Sequence, residues 1–151
     1  MNLTHLNNKG EAEMVDISSK KEVHREAEAS GKIFLNNTTL KLIKEDQIKK
    51  GDVLSVARVA GISGAKSTSM LIPLCHNITI NKIDIEFEIE SDGILIKSKA
   101  VCDGRTGIEM EALTAVSVSA LTIYDMCKAV DKNMIISEIK LEEKTKSELQ
   151  Y

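Results

Sequence analysis

The hydrophobic positions of the chain first follow the spacing of helices. Residues 40–50 carry apolar side chains three and four positions apart and stop at Gly51, which predicts a short amphipathic helix. A second helix is predicted after Asp52, a candidate N-cap, because apolar residues recur on one side of it as far as Ala60. The only proline, Pro73, ends the loop region that follows.

From residue 78 the pattern changes to the two-residue period of a strand. Residues 78–89 alternate Ile and Phe with Thr, Asp and Glu, except for a slip at residues 81–82 that predicts a β-bulge. A turn at residues 91–93 leads into a second alternating run at residues 94–102. Together these features predict an antiparallel hairpin.

The longest helix is predicted after the loop at residues 102–107, and it runs to about Val130. Residues 112–124 of this helix carry no charge, so nearly its whole circumference is expected to be covered. One sheet covers only one face. The opposite face is covered either by the two earlier helices or by a second subunit, and periodicity alone leaves both open.

Two more strands are predicted, one around residues 33–35 and a closing edge strand at residues 134–142. Helices and antiparallel strands that alternate in a chain of 151 residues favour a two-layer α+β sandwich over a parallel sheet. The chain has no internal repeat or linker, so a single domain is predicted. Roughly 12 residues at the N terminus and roughly 6 at the C terminus are expected to be flexible.

Composition excludes several classes of partner. The formal net charge is -3 and the lysines are spread along the chain, so no basic face for nucleic-acid phosphates is expected. Two Tyr, two Phe and no Trp supply few stacking or interfacial side chains. No apolar stretch reaches the ~18 residues of a membrane span. Neither nucleic acid nor a membrane is an expected partner.

A cytoplasmic location is expected. The opening stretch MNLTHLNNKGEAEMV lacks the basic and apolar regions of a signal peptide. Cys75, Cys102 and Cys127 are odd in number and far apart, which suits a reducing compartment better than a disulfide framework.

An acid and a base stand at the end of the charge-free helix. Asp125 and Lys128 are three residues apart, so one helical turn sets both on the same face. Such a pair is either an ordinary surface ion pair of small energetic consequence or a catalytic pair. The first interpretation is the more common one, and the apolar neighbours Tyr124, Met126 and Cys127 count against it, so both stay open on the residues alone.

Other residues also offer chemistry. Glu109 and Glu111, near the helix start, complement the helix dipole or serve a site. Cys75 is either an inert thiol or a nucleophile, and its neighbour His76 is a structural residue, a phosphate donor or a proton carrier. No ligand spacing completes a metal shell around them, so no metal site is predicted. The loop at residues 104–107 could hold an anion before the helix, although it equally suits an ordinary turn.

Five stretches together resemble one known family. They are LTHLN (3–7), MVDIS (14–18), KKGDVLSVARVAGI (49–62), LIPLCH (71–76) and GIEMEALTAVSVSALTIYDMCKAVDK (107–132). From about Leu3 to Lys146 the chain closely resembles the cyclic pyranopterin monophosphate synthase family, also called molybdenum cofactor biosynthesis protein C. The family usually has Pro where this chain has Asn77, which predicts a less rigid loop at His76.

The resemblance implies a fold, an assembly and a reaction. The fold is a ferredoxin-like α+β sandwich with helices packed on one face of an antiparallel sheet, assembled as a homohexamer, a trimer of dimers with active sites at dimer interfaces. The reaction converts 3',8-cyclo-7,8-dihydro-GTP into cyclic pyranopterin monophosphate and releases pyrophosphate, as a lyase of molybdenum cofactor biosynthesis. No cofactor is predicted, although Mg²⁺ could accompany the substrate phosphates. The alternative is a non-catalytic oligomeric domain that binds a nucleotide or pterin.

The resemblance also implies site residues. By their place in the motifs, Asp125 is the catalytic acid/base and Lys128 its partner. The implied substrate-binding residues are Lys50, Leu74, Cys75, His76, Glu109, Met110, Glu111 and Lys144, with Arg25, Lys66 and Lys20 as weaker candidates and Lys146 as an ambiguous one.

The predicted length of the helix adds a constraint. Fourteen residues at about 1.5 Å each put Glu111 and Asp125 roughly 21 Å apart along one helix. A single nucleotide-sized substrate cannot readily touch both. A shared site therefore requires the Glu111 end of one subunit to meet the Asp125 end of another, as in an antiparallel dimer.

Overall fold

A computed structural model of the chain describes residues 5–149, so the expectations for residues 1–4 and 150–151 lie outside the described range. The helices and strands, in chain order, are β1 (Val23–Phe34), α1 (Asn37–Lys44), α2 (Val53–Lys66), α3 (Thr68–Leu71), β2 (Lys82–Ile89), β3 (Gly93–Gly104), α4 (Glu109–Cys127) and β4 (Ile135–Ser147). The strands form one antiparallel sheet in the order β2-β3-β1-β4. The predicted α+β, ferredoxin-like sandwich is confirmed.

The core lies between one face of the sheet and α4. Ile94, Ile96 and Ala100 of β3 are fully buried, while Lys97 and Lys99 alternate with them on the opposite face. The helix α4 packs against β1, β3 and β4, and α2 packs against α4 and β2. The opposite face of α4 is covered only in part, because Leu121 is 59% exposed and Tyr124 is 36% exposed.

The start of α2 follows capping chemistry. The Asp52 side chain accepts a hydrogen bond from the backbone N–H of Ser55 at 3.0 Å, so the predicted N-cap of α2 is confirmed. The first helix was predicted to end at Lys50, and this is wrong. It ends at Lys44, because Asp46 takes a left-handed backbone conformation with φ 51° that a helix cannot continue through.

The strand irregularities lie elsewhere than predicted. The bulge expected at residues 81–82 is wrong: pairing with β3 begins there, and Ile78 and Ile80 precede the strand. The register shifts lie between β1 and β4 instead, and one of them surrounds Glu138, whose φ is 58°. The strand expected around residues 33–35 is the end of the twelve-residue β1.

The contact between α2 and α4 depends on a glycine. A Cβ added at Gly61 would lie 2.9 Å from the Ala115 carbonyl oxygen and would also meet the side chains of Ser119 and Ile85. Glycine lets the two helices approach closely at this point. The Ser119 hydroxyl uses this proximity to donate to the Ala57 carbonyl at 3.0 Å.

Replacing Gly61 with alanine is therefore expected to destabilise the fold. Alanine normally favours a helix, but here overpacking is expected to lower the free energy of unfolding by about 1–3 kcal/mol. Urea unfolding at fixed protein concentration measures the change. The control Lys44→Ala, on the exposed side of α1, should stay within about 0.5 kcal/mol of the unmodified protein. Stabilisation by Gly61→Ala would contradict the tight contact.

Candidate active site

The candidate site residues lie at the two ends of α4. Glu109 and Glu111 are in its first turn, Asp125 is in its last, and Lys128 caps it. The helix is continuous, so roughly 21 Å separate Glu111 from Asp125 in one chain. The N-terminal end carries two acids, and the C-terminal end carries an acid beside a base.

A cavity of about 480 Å³ lies at the N-terminal end of α4. Three segments form its walls: the start of α4, the loop that follows α3, and an N-terminal segment before β1. The cavity brings together most of the predicted substrate-binding residues, namely Leu74, Cys75, His76, Glu109, Met110, Glu111 and the weaker candidate Lys20.

Glu111 is the buried acid of this cavity. Glu111 is 3% exposed, and its Oε2 atom has no hydrogen-bond partner within residues 5–149. Burial raises the pKa of Glu111, and the nearby charge of Glu109 raises it further. A buried polar atom without a partner costs free energy, so a ligand hydrogen bond to Oε2 would remove that cost.

Glu109 joins this cavity to a second one of about 250 Å³. The second cavity is basic, lined among others by Arg25, Lys144 and Lys146. Lys144 lies 3.0 Å from a carboxylate oxygen of Glu109. Burial alone would raise the pKa of Glu109, but a backbone N–H group and the Lys144 ammonium outweigh it and lower the pKa. One acid thus separates an apolar cavity from a cationic one.

Arg25 holds the loop that leads into α4. Its Nε donates to the carbonyl oxygen of Gly104 at 3.0 Å, and its guanidinium also reaches the Arg105 carbonyl oxygen at 3.5 Å. The loop at residues 104–107 does lie directly before the helix, as predicted. Its binding of an anion stays a prediction.

Cys75 and His76 are less available to react with or bind a ligand than their position in the cavity suggests. Burial raises the pKa of the Cys75 thiol, and Glu111 adds to the effect, so the neutral thiol dominates near neutral pH. The Nε2 atom of His76 lies 2.7 Å from the Val15 carbonyl oxygen. A carbonyl only accepts, so Nε2 carries a proton and donates it, which leaves only Nδ1 to act on a ligand.

At the other end of α4, two lysines bind one acid. The carboxylate of Asp125 lies 2.7 Å from the Lys128 ammonium and 2.8 Å from that of Lys50. Lys50 also donates to the Asp125 carbonyl oxygen at 2.9 Å, where a helix end attracts a cation. Lys128 and then Lys50 lower the pKa of Asp125 to about 2, and Asp125 raises the pKa of Lys128. Near neutral pH, Asp125 is therefore an anion and Lys128 carries a proton.

Known proteins resemble this chain over most of its length. The sequence model of the MoaC family matches residues 14–147. The chain belongs to the MoaC family. A relative from Peptoclostridium acidaminophilum, named cyclic pyranopterin monophosphate synthase, is 59% identical over 145 residues, covering 96% of this chain and 92% of that protein. A relative of the same name from Thermoanaerobacter pseudethanolicus is 58% identical over 147 residues, covering 96% and 93%.

One candidate of this MoaC chain lies apart from both ends, and several lining residues were not predicted. Lys66 is exposed at the end of α2 and lines neither cavity. The lining residues that sequence reasoning missed are His5, Val15, Ile17, Ile72, Ile78 and Thr106. The motifs LTHLN and MVDIS contain the first three, so the resemblance carried a signal, but hydrophobic periodicity did not.

Within residues 5–149, no three His, Cys, Asp or Glu side chains are grouped so that they could hold a metal ion. Over the same residues, no helix has the length and apolar character needed to cross a membrane.

The contribution of Lys50 to Asp125 gives a direct prediction. In Lys50→Met, the pKa of Asp125 is expected to rise from about 2 toward its ordinary 3.8, because Lys128 alone then faces the carboxylate. Carboxyl carbon NMR over an acid titration measures it. The neighbouring exposed Lys49→Met serves as the control and should leave the pKa in place. An unchanged pKa in Lys50→Met would contradict the three-residue cluster.

Proposed function

We propose that this MoaC protein is a cyclic pyranopterin monophosphate synthase. It converts 3',8-cyclo-7,8-dihydro-GTP into cyclic pyranopterin monophosphate and releases pyrophosphate, a step of molybdenum cofactor biosynthesis in the cytoplasm. The observation that carries the proposal is the Asp125–Lys128–Lys50 cluster, an ionised acid beside a protonated base. Two relatives that are 58–59% identical over nearly the whole chain are named cyclic pyranopterin monophosphate synthase.

The active site is shared by two subunits. The Glu111 cavity and the Asp125 cluster lie at opposite ends of α4, too far apart for one nucleotide. An antiparallel pairing of two chains brings the unlike ends together and makes two identical sites. Exposed apolar residues of α2 and α4 support such a contact: Val56, Val59, Leu121 and Tyr124. Three such dimers form the hexamer.

Within this site, the two cavities divide the substrate between them. The apolar cavity takes the guanine-derived ring system, whose N–H groups satisfy the unpartnered Oε2 of Glu111. The cationic cavity takes the phosphates, which bind Lys144 and Arg25 by charge-assisted hydrogen bonds. Lys50 of the second subunit adds a further cation. Mg²⁺ would enter only as a counterion of the triphosphate, and no resident cofactor is needed.

Asp125 and Lys128 move the protons. Ring opening, pterin ring formation and phosphate cyclisation each require proton transfer near neutral pH. Lys128 supplies a proton to a leaving atom, and its positive charge is held in place by Asp125 at 2.7 Å. The carboxylate accepts protons in return. Lysine ammonium groups around the phosphates stabilise the charge that develops on the departing pyrophosphate.

One experiment tests the function itself. Purified protein is supplied with 3',8-cyclo-7,8-dihydro-GTP, and pyrophosphate and cyclic pyranopterin monophosphate are measured together. Equal amounts of both products at many turnovers are expected. Tight binding of the substrate without turnover would overturn the proposal in favour of a non-catalytic binding domain.

A further inference from the structure

A short hairpin formed by residues 5–13 presents its first residue to the apolar cavity. Leu6 and Ala12 form an antiparallel bridge, and the His5 carbonyl oxygen accepts from the backbone N–H of Glu13 at 2.9 Å. His5 then lines the cavity together with residues of α4 and the loop after α3.

The tip of the hairpin is internally braced. The Asn7 side chain accepts hydrogen bonds from the backbone N–H groups of Lys9 and Glu11 at 2.9 and 3.0 Å. Gly10 closes the turn with a φ of 80°, which glycine adopts without strain. This local order gives His5 a defined place at the cavity.

A second anchor fixes the rest of the N-terminal segment. The Val15 carbonyl oxygen accepts from His76 at 2.7 Å, and Val15 and Ile17 line the same cavity as His5. The segment is therefore one wall of the cavity, and His76 hydrogen-bonds it to the loop that follows α3. That hydrogen bond occupies the Nε2 atom of His76, whereas no hydrogen bond or ion pair within residues 5–149 involves the His5 ring.

Of the other ionisable groups of the cavity, three are committed elsewhere or lie away from water, whereas Lys20 is exposed and His76 keeps only Nδ1 for a ligand. Glu109 is paired with Lys144, and Glu111 is almost fully buried. Cys75 is held as a neutral thiol by burial, which raises its pKa. His5 is exposed, and an imidazole is a side chain that commonly carries protons in enzyme sites.

We propose that His5 is a further catalytic residue of this cavity, one that contacts the bound ring system and carries a proton between it and water. A free ring nitrogen accepts a proton from the ring system, and the imidazolium releases it to solvent, so no other reactant is consumed. This inference rests on the proposed function. It gives the Glu111 side of the site its own proton carrier, distinct from the Asp125–Lys128 pair of the other subunit.

The test compares His5→Ala with Lys9→Ala, an exposed change at the tip of the same hairpin. Turnover of 3',8-cyclo-7,8-dihydro-GTP is expected to fall at least about tenfold in His5→Ala and to stay unchanged in Lys9→Ala. Imidazole added to the buffer should restore part of the lost turnover. The Kd for GTP, used as an unreactive probe, should change by less than about threefold.

Two outcomes would overturn the inference. One is full turnover by His5→Ala. The other is a loss that imidazole does not restore and that accompanies an equal loss of GTP affinity, which would mean a purely structural role. In addition, NMR of histidine-labelled protein reports contact without turnover: the His5 signal, identified by its disappearance in His5→Ala, should shift when GTP is added. That shift tests His5 even if the unmodified protein proves inactive, and an unmoved signal would contradict the proposal.

Discussion

Asp125→Asn is expected to lower turnover by a factor of roughly 10²–10⁴, the usual contribution of a general acid or base. Asparagine has nearly the same shape but neither accepts a proton nor carries the charge that holds Lys128. The two lysines now bound at 2.7 and 2.8 Å would lose their common anion. The loss should appear in the rate of pyrophosphate release, with the GTP Kd unchanged or lower because a negative charge near the phosphates is gone.

The protein supplies a matched control for this experiment. Asp84 forms an exposed ion pair with Lys82 at 2.7 Å, the same distance as Asp125 and Lys128, but on β2. Asp84→Asn removes an equivalent surface charge and should leave turnover intact. Lys128→Ala should match the defect of Asp125→Asn, because a proton donor and its holding anion act as a unit. Full turnover by Asp125→Asn would remove the acid/base assignment.

The best-predicted parts of the fold are those in which one local signal decides the structure. The α4 helix is predictable because its long charge-free run suits a helix that is covered nearly all round. The start of α2 follows from a single side chain, Asp52, that accepts from Ser55. The order of elements then favours the antiparallel sandwich that the structure has.

Strand β1 shows where local signals fail. Its buried residues include Ala27, Ala29 and Gly31, which are too small to register as a hydrophobic alternation. Their size has a tertiary cause: a Cβ at Gly31 would meet Val116 of α4 and Ile139 of β4. The sequence contains the small residues but not the neighbours that require them, so only the end of β1 was predicted.

The candidate site also has a part that the sequence predicted and a part that it did not. Residue types and motif positions suggested Asp125, Lys128 and Lys50, and the structure places both lysine ammonium groups within hydrogen-bond distance of the Asp125 carboxylate. The N-terminal wall of the cavity could not be derived from periodicity, because its residues have no regular spacing. The bond from His76 to the Val15 carbonyl oxygen joins residues 61 positions apart through a backbone atom, which no side-chain pattern encodes.

Mixing two inactive variants tests whether the site is shared between subunits. Asp125→Asn and Glu111→Gln are each expected to be inactive alone, the second because an amide replaces the buried carboxyl group whose Oε2 we propose to bind the substrate ring. When the two proteins are unfolded together and refolded at equal concentrations, random pairing makes about half of the dimers mixed. Each mixed dimer then has one site with both residues intact and one site with both replaced.

Turnover in the refolded mixture is therefore expected to return to about one quarter of that of the unmodified protein. A double variant, Asp125→Asn with Glu111→Gln in one chain, is the control: refolded with Asp125→Asn, it leaves no complete site and should stay inactive. If each chain carried its own complete site, neither mixture would regain turnover. Because the recovered fraction depends only on which subunit supplies each residue, it distinguishes sites shared between subunits from independent sites within each subunit.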